Sequence, residues 1–486
     1  MSTPSPIPDS PEPENLSAGV IRQTVELLAL LCVGVLLFRA FAAEAYVVPT
    51  GSMAPTLLGR HLELTCPSCA FRFDVGVDGD DEAVLPRPVC PNCGHRDFER
   101  NPGAVRGGDR VLVQKFLYEF RAPRRWEVSV FQYPGDPSQA YVKRVVGLPG
   151  ESVQIVGGDV WINGRPARKS LQDVRATRIL VHDGRYAPAD ATRYPRWEFR
   201  RGPALQLEPS GWSRREVGFH HEFVDYSGVE SDDWLIYRHW DPVLERYGPI
   251  RDHYGYNGGD LGSDNIVKDV GLEASVRIGP EIECLSIMLR SAGDRFIIRI
   301  PVGADDPVRL TRNGVSRRLD FRDNPLAAPP VGETEHRIEA SVFDRRLLIA
   351  IDGELLFEPF DYDDPAEARS NDESPVALGA RGGGMDVPEL KIFRDIHYTS
   401  SLGAIHRHPN GISEPYELKR DEYFVLGDNS PVSNDSRFWT GGPVVPLALF
   451  VGKPFLVHLP GRVVPLEVFG RPLYWIPDPR RIRYIH

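Results

Sequence analysis

Tyr141-Val142-Lys143-Arg144-Val145-Val146-Gly147-Leu148-Pro149-Gly150-Glu151 is the stretch from which the fold is read. Val142, Val145 and Val146 are β-branched residues, and the Leu-Pro-Gly that follows is a turn signal, so the run predicts a strand. Side chains alternate across a strand, which puts Lys143 on one face with Tyr141 and Val145, and Val142, Arg144 and Val146 on the other. A lysine in such apolar surroundings loses solvation. Its charged form is disfavoured and its pKa falls. That is the condition a lysine must meet to act as a general base near neutral pH.

A partner for such a base stands upstream, in Tyr46-Val47-Val48-Pro49-Thr50-Gly51-Ser52-Met53-Ala54-Pro55-Thr56-Leu57. A strand-like run meets Pro49 and Gly51, and Ser52 sits just past the turn, where a glycine lets backbone approach a substrate. Two further segments share the pattern of a buried strand joined to a polar turn. They are Gly108-Asp109-Arg110-Val111-Leu112-Val113, and Tyr423 to Leu426 followed by Gly427-Asp428-Asn429-Ser430-Pro431-Val432-Ser433-Asn434-Asp435-Ser436-Arg437.

In order, wording and spacing these segments resemble the type I signal peptidases, over about residues 20–65, 105–166 and 410–470. The resemblance implies a mostly antiparallel β catalytic domain that follows one N-terminal transmembrane helix. It implies a serine endopeptidase with Ser52 as nucleophile and Lys143 as general base. Ser433 matches the serine that orients the lysine, and the Thr50 hydroxyl with the Ser52 N–H would form an oxyanion hole. Met53 is expected to line the substrate groove. Asp428, Asp435 and Arg437 are expected to hold the site's loop together. The implied substrates are preprotein signal peptides cut after small residues, Ala-x-Ala in style. The implied place is the outer, periplasmic side of the bacterial cytoplasmic membrane, single-pass, with membrane lipid as a partner and no cofactor for catalysis. The strand Trp126 to Phe131 lacks the Gly-Asp that commonly opens it in that family, which touches loop geometry rather than the acid–base groups.

Composition is consistent with this reading. The chain has 486 residues, too many for one ordinary core, and 44 Pro with 45 Gly favour turns and β-structure over long helices. A formal net charge of −11 argues against non-specific nucleic-acid binding, which needs a basic surface. Residues 1–19 contain no Lys or Arg and read as a disordered tail. From Val20 to Ala43 the chain is long enough to cross a bilayer, about 35 Å at 1.5 Å per residue. Arg22 precedes the apolar run, Arg39 follows it and Glu26 lies near one end.

Two insertions interrupt the catalytic pattern of residues 44–65, 105–166 and 411–486. Residues 66–104 carry Cys66-Pro67-Ser68-Cys69 and, 20 residues on, Cys90-Pro91-Asn92-Cys93. Two Cys-x-x-Cys knuckles at that separation predict a zinc ribbon with structural zinc on Cys66, Cys69, Cys90 and Cys93, disulfides or free thiols being the other reading. Residues 167–410 turn to β-alternation from about Asp269. Leu347 to Phe357 reads as a hairpin turning at Asp352-Gly353, and Glu389 to Ile396 as a closing strand. This insert resembles concanavalin-like or laminin-G-like sandwiches, a resemblance that implies binding of protein or glycan. Asp260-Leu261-Gly262-Ser263-Asp264-Asn265 could offer oxygen to calcium, though a solvated loop is the simpler reading. Trp212, Trp234, Tyr237 and Trp240 are expected in a core. A degenerate peptidase scaffold that only binds, through its sandwich, is the alternative to an active enzyme; Ser52, Lys143 and Ser433 speak against it.

Overall fold

The computed structural model describes residues 16–37, 43–77, 87–98, 105–190, 194–201, 210–223, 232–258, 265–303, 306–319, 324–326, 334–363, 373–399 and 410–458, with short stretches between 461 and 485. The calcium reading falls on residues 260–264, outside the described residues.

The protein is built of antiparallel strands, as expected. The main body is an eight-stranded sheet in the order Ala43–Val47, Arg110–Gln114, Phe450–Val457, Val128–Tyr133, Asp136–Gly147, Glu422–Leu426 and Val445–Pro446, with Arg483–Tyr484 added beside Phe450–Val457. Neighbours in this sheet come from far apart in the chain, so the two insertions can leave through its loops without breaking it. Val128 and Ser129 pair with Arg144 and Lys143. On the other side Leu426 pairs with Arg144. Lys143 is therefore on an inner strand, and residues 142–146 have apolar neighbours on both faces.

The larger insertion is a two-sheet sandwich. One sheet runs Trp212–Arg214, Phe219–His221, Met385–Arg394, Val270–Ile278, Glu335–Phe343, Arg346–Ile351 and Glu354–Leu355. The other runs Trp197–Arg201, Asp233–Tyr237, Val376–Gly382, Ile282–Ser291, Asp294–Pro301, Arg309–Arg312 and Val315–Arg317. Their inner faces share one core that includes Leu272, Ile287, Phe296, Ile349 and Leu378, as expected of packed alternating strands. The hairpin turns where the sequence said it would. Asp352 and Gly353 have φ of 52° and 92°, the left-handed pair a two-residue hairpin turn needs. Trp212, Trp234, Tyr237 and Trp240 are all buried.

The insert meets the body at a buried lysine, which is paired within the insert and stacked on a ring of the body. The Lys169 ammonium donates to Asp344 Oδ2 at 2.7 Å and Asp395 Oδ2 at 2.6 Å, and lies 4.2 Å over the Trp126 ring. Burial alone would lower the Lys169 pKa, but the two carboxylates outweigh it and raise it.

Leu16–Leu37 is a helix. Arg22 Nε donates to Glu26 at 2.8 Å, which pairs the two charges in it. Its apolar side chains from Val20 to Val33 are exposed. Among the described residues no helix is long and apolar enough to cross a membrane. The expected span over residues 20–43 is thus not shown, and residues 38–42 lie outside the described part.

Candidate active site

Pro49 and Gly51 do locally what the sequence suggests. The strand stops, and Gly51–Met53 makes a single 3-10 turn closed by Ala54 N–H on the Gly51 carbonyl at 3.0 Å. The turn is held at its flank by Asp109, whose carboxylate accepts Leu58 N–H at 3.0 Å and whose carbonyl accepts Val48 N–H at 2.9 Å. Gly108 is obligatory here, because a Cβ would strike the Val48 carbonyl.

The turn presents Ser52 Oγ to Lys143 Nζ at 2.6 Å. Lys143 is 4% exposed. Burial pushes its pKa down to about 8; Asp435 and Asp428 pull it back up and Arg437 pushes it down further. A hydroxyl in contact with an amine that is substantially neutral near pH 8 is an activated nucleophile. The Thr50 hydroxyl lies 3.4 Å from Ser52 Oγ, donating to it.

The polar loop after Leu426 supports the pair. Asp435 accepts Arg437 Nε at 2.9 Å and Nη2 at 2.8 Å, and Gly427 N–H at 2.9 Å. Arg437 also donates to the Thr399 carbonyl and the Ser430 hydroxyl, at 2.7 and 2.8 Å. Asp435 and Arg437 are thus bonded to each other and to the backbone of the loop.

Two expectations do not match the geometry. Met53 does not line a groove. It is fully buried beneath the turn, in a cluster with Val48, Leu57, Val111 and Val130, because a one-turn helix places successive side chains on different sides and Ser52 takes the open one. Ser433 is buried, but among the described residues its hydroxyl makes no hydrogen bond to Lys143 or to any other group. It lies against Gly427, where an added Cβ would collide with it.

Sequence reasoning missed Arg144 and Asn429. Arg144 donates to Asp428 through Nε at 2.8 Å and Nη2 at 2.6 Å, and Asp428 also accepts the Thr56 hydroxyl at 2.5 Å. Arginine in a β-branched run was a signal that the face opposite Lys143 holds an ion pair. Asn429 donates from its amide to the Gly51 carbonyl at 2.9 Å and from its backbone to the Ser52 carbonyl at 3.1 Å.

The four cysteines converge. Their sulfurs all lie within 4.8 Å of one another, with Cys66–Cys93 at 3.6 Å and Cys69–Cys90 at 3.7 Å. None is in a disulfide. A tetrahedron with arms of about 2.3 Å has edges of about 3.8 Å, so the spacing fits four thiolates around one zinc and is far too long for an S–S bond. Each knuckle is closed by a backbone bond, Ala70 N–H to Cys66 and Gly94 N–H to Cys90, both at 2.8 Å.

A buried lysine in contact with a turn-borne serine, on an antiparallel sheet, defines a serine–lysine site of the hydrolase class. Comparison with known proteins narrows that class. The model of the family described as signal peptidase, peptidase S26, matches residues 103–198 and 342–459. The signal peptidase I of Leptolyngbya laminosa is 31% identical over 172 residues, covering 34% of this chain and 57% of that protein. The signal peptidase I of Pseudomonas fluorescens is 30% identical over 150 residues, covering 28% and 36%. The chain is thus similar to the signal peptidase S26 family over part of its length, and it spans little more than half the length, or less, of these curated relatives. Residues 199–341 lie outside the family match. Among solved structures the chain is similar to the carbohydrate-binding module CBM66 from Bacillus subtilis, at 10% identity and a TM-score of 0.24, covering 40% of this chain and 91% of that one. A likeness at that TM-score carries no functional weight.

Proposed function

We propose that the chain is a serine–lysine endopeptidase that removes signal peptides from preproteins. The observation that carries this is the 2.6 Å contact between Ser52 Oγ and the buried Lys143 Nζ. In this reading neutral Lys143 takes the Ser52 proton as the oxygen attacks the scissile carbonyl. The Ser52 N–H and the Thr50 hydroxyl receive the oxyanion. Lys143 then gives its proton to the leaving amine, and later activates the water that releases the acyl group from Ser52. The degenerate-scaffold alternative has no observation in its favour. The test is cleavage of a preprotein whose signal ends in Ala-x-Ala, by the detergent-solubilised full chain. Cutting after the last Ala supports the reading; a folded wild type that does not cut sinks it.

The pH dependence has a definite sign. The base must be neutral, and its pKa is lowered to about 8. Activity should rise with pH, from about a tenth of maximum at pH 7 to about nine-tenths at pH 9. A kcat profile already flat below pH 7 would contradict Lys143 as the base.

The exposed apolar helix is proposed as the membrane anchor. Its described apolar side chains, from Val20 to Val33, are exposed, and lipid is the solvent they fit. The protein would then sit in a bacterial cytoplasmic membrane with its body on the outer side. Structural zinc on Cys66, Cys69, Cys90 and Cys93 is proposed as well. It would hold the ribbon that begins at His61, directly after the nucleophile turn. Elemental analysis should find one zinc per chain, and Cys90→Ser should abolish it and lower the thermal midpoint. Metal-free protein with four alkylatable thiols and an unchanged midpoint would refute the assignment.

A further inference from the structure

We propose that the sandwich insert is part of the peptidase machinery, with Asn257 and Tyr256 as positioning residues that hold Ser52 on Lys143. This rests on the peptidase reading above. Both residues lie in the 199–341 segment that the family match leaves out. They form the single turn Gly255–Asn257, which the sandwich pushes against the nucleophile turn.

Asn257 and Asn429 pair side chain to side chain. Asn257 Nδ2 donates to Asn429 Oδ1 at 2.8 Å, and Asn429 Nδ2 donates to Asn257 Oδ1 at 2.7 Å. The second hydrogen of the same Asn429 amide goes to the Gly51 carbonyl, and the Asn429 backbone N–H goes to the Ser52 carbonyl. Asn257 thereby sets the plane of the amide that grips the residues at and before the nucleophile. Tyr256 lies against Gly51, where an added Cβ would run into its ring, and donates to the Arg60 carbonyl at 3.0 Å. Tyr254 donates to the Asp428 carbonyl at 2.7 Å.

Tyr256 also packs against Ala54 and Leu58, just past the turn. A cavity of about 340 Å³ lies there, bounded in part by Pro55, Leu58, Phe71, Phe73, Tyr254 and Tyr256. The Tyr256 ring stands between that space and Gly51, so ring and hydrogen bonds together hold the turn. A displacement of about 1 Å at a reacting atom can cost about a hundredfold in rate.

The experiment compares the full chain with Asn257→Ala, Asn429→Ala, the double variant, Tyr256→Phe and Ser52→Ala. It measures kcat and KM separately on an Ala-x-Ala preprotein, and hydrogen exchange of the peptide spanning residues 50–57. Asn257→Ala should lower kcat by about ten- to a hundredfold with KM within about twofold. Exchange of the 50–57 peptide should rise. The double variant should be no more than about twofold below the worse single, since both act through one amide pair. Tyr256→Phe keeps the ring and should lose kcat with an unchanged unfolding midpoint, which separates positioning from misfolding. Wild-type kcat in Asn257→Ala, losses that multiply in the double variant, or a change in KM alone would each overturn the proposal. A wild type no faster than Ser52→Ala removes the peptidase reading instead. The exchange measurement then decides the clamp by itself: unchanged exchange in Asn257→Ala rejects it, and raised exchange upholds it.

Discussion

Ser52→Ala and Lys143→Met each lower kcat/KM on a preprotein by about 10⁴-fold or more, and combining them lowers it little further. The reasoning follows from the contact between the two side chains. Among the described residues the Ser52 hydroxyl meets Lys143 at 2.6 Å and the Thr50 hydroxyl at 3.4 Å, and no second base. Without Lys143 the hydroxyl keeps its proton; without Ser52 the amine has nothing to activate. Groups that act as a unit are lost as a unit, so their effects do not add. Lys143→Met keeps the length of the side chain and adds no charge or polar group at a position that is 4% exposed, so the fold should survive. Single-turnover cleavage checks this directly. If the two losses multiply, Ser52 and Lys143 act independently and the dyad is wrong.

Arg144→Met destabilises the chain by about 3–5 kcal/mol, more than any exposed charge substitution would. Arg144 and Asp428 are an ion pair with both side chains almost wholly buried. Removing one partner leaves the other charge in a low-dielectric interior without compensation, which is the expensive way to break such a pair. Asp428 would keep the Thr56 hydroxyl as its remaining side-chain donor. Because Asp428 opens the loop that carries Asn429, activity should fall along with stability. Replacing Asp428 in the same chain, as Arg144→Met with Asp428→Leu, should recover much of the lost stability while leaving activity low. Urea unfolding of the three proteins reads this out. A single variant within about 1 kcal/mol of wild type would mean that Asp428 finds another cation.

The resemblance carried by the sequence already pointed to Ser52 and Lys143, and strand alternation in an apolar run explains why the lysine is buried. The cysteine spacing was equally informative, because a Cys-x-x-Cys knuckle is a local object closed by its own backbone bonds. The Asp352-Gly353 hairpin was legible for the same reason: its two positive φ values are a property of the residues that occupy them.

Other features depended on groups that are distant in sequence. Met53 sits next to Ser52 in the chain, yet it is buried against Val111 and Val130, and only the packing of the sheet beneath the turn decides which neighbour faces out. Ser433 matches a family position, but its hydroxyl is packed against Gly427 without a hydrogen bond among the described residues. Asn257 meets Asn429 across 172 positions, and no periodicity or motif announces that meeting. The sequence by itself determined the chemistry available at Ser52, Lys143 and the four cysteines, since burial patterns and short spacings are local. Only the tertiary structure decided that the insert reaches back to hold the nucleophile, because that depends on how two separately folded cores come to rest against each other.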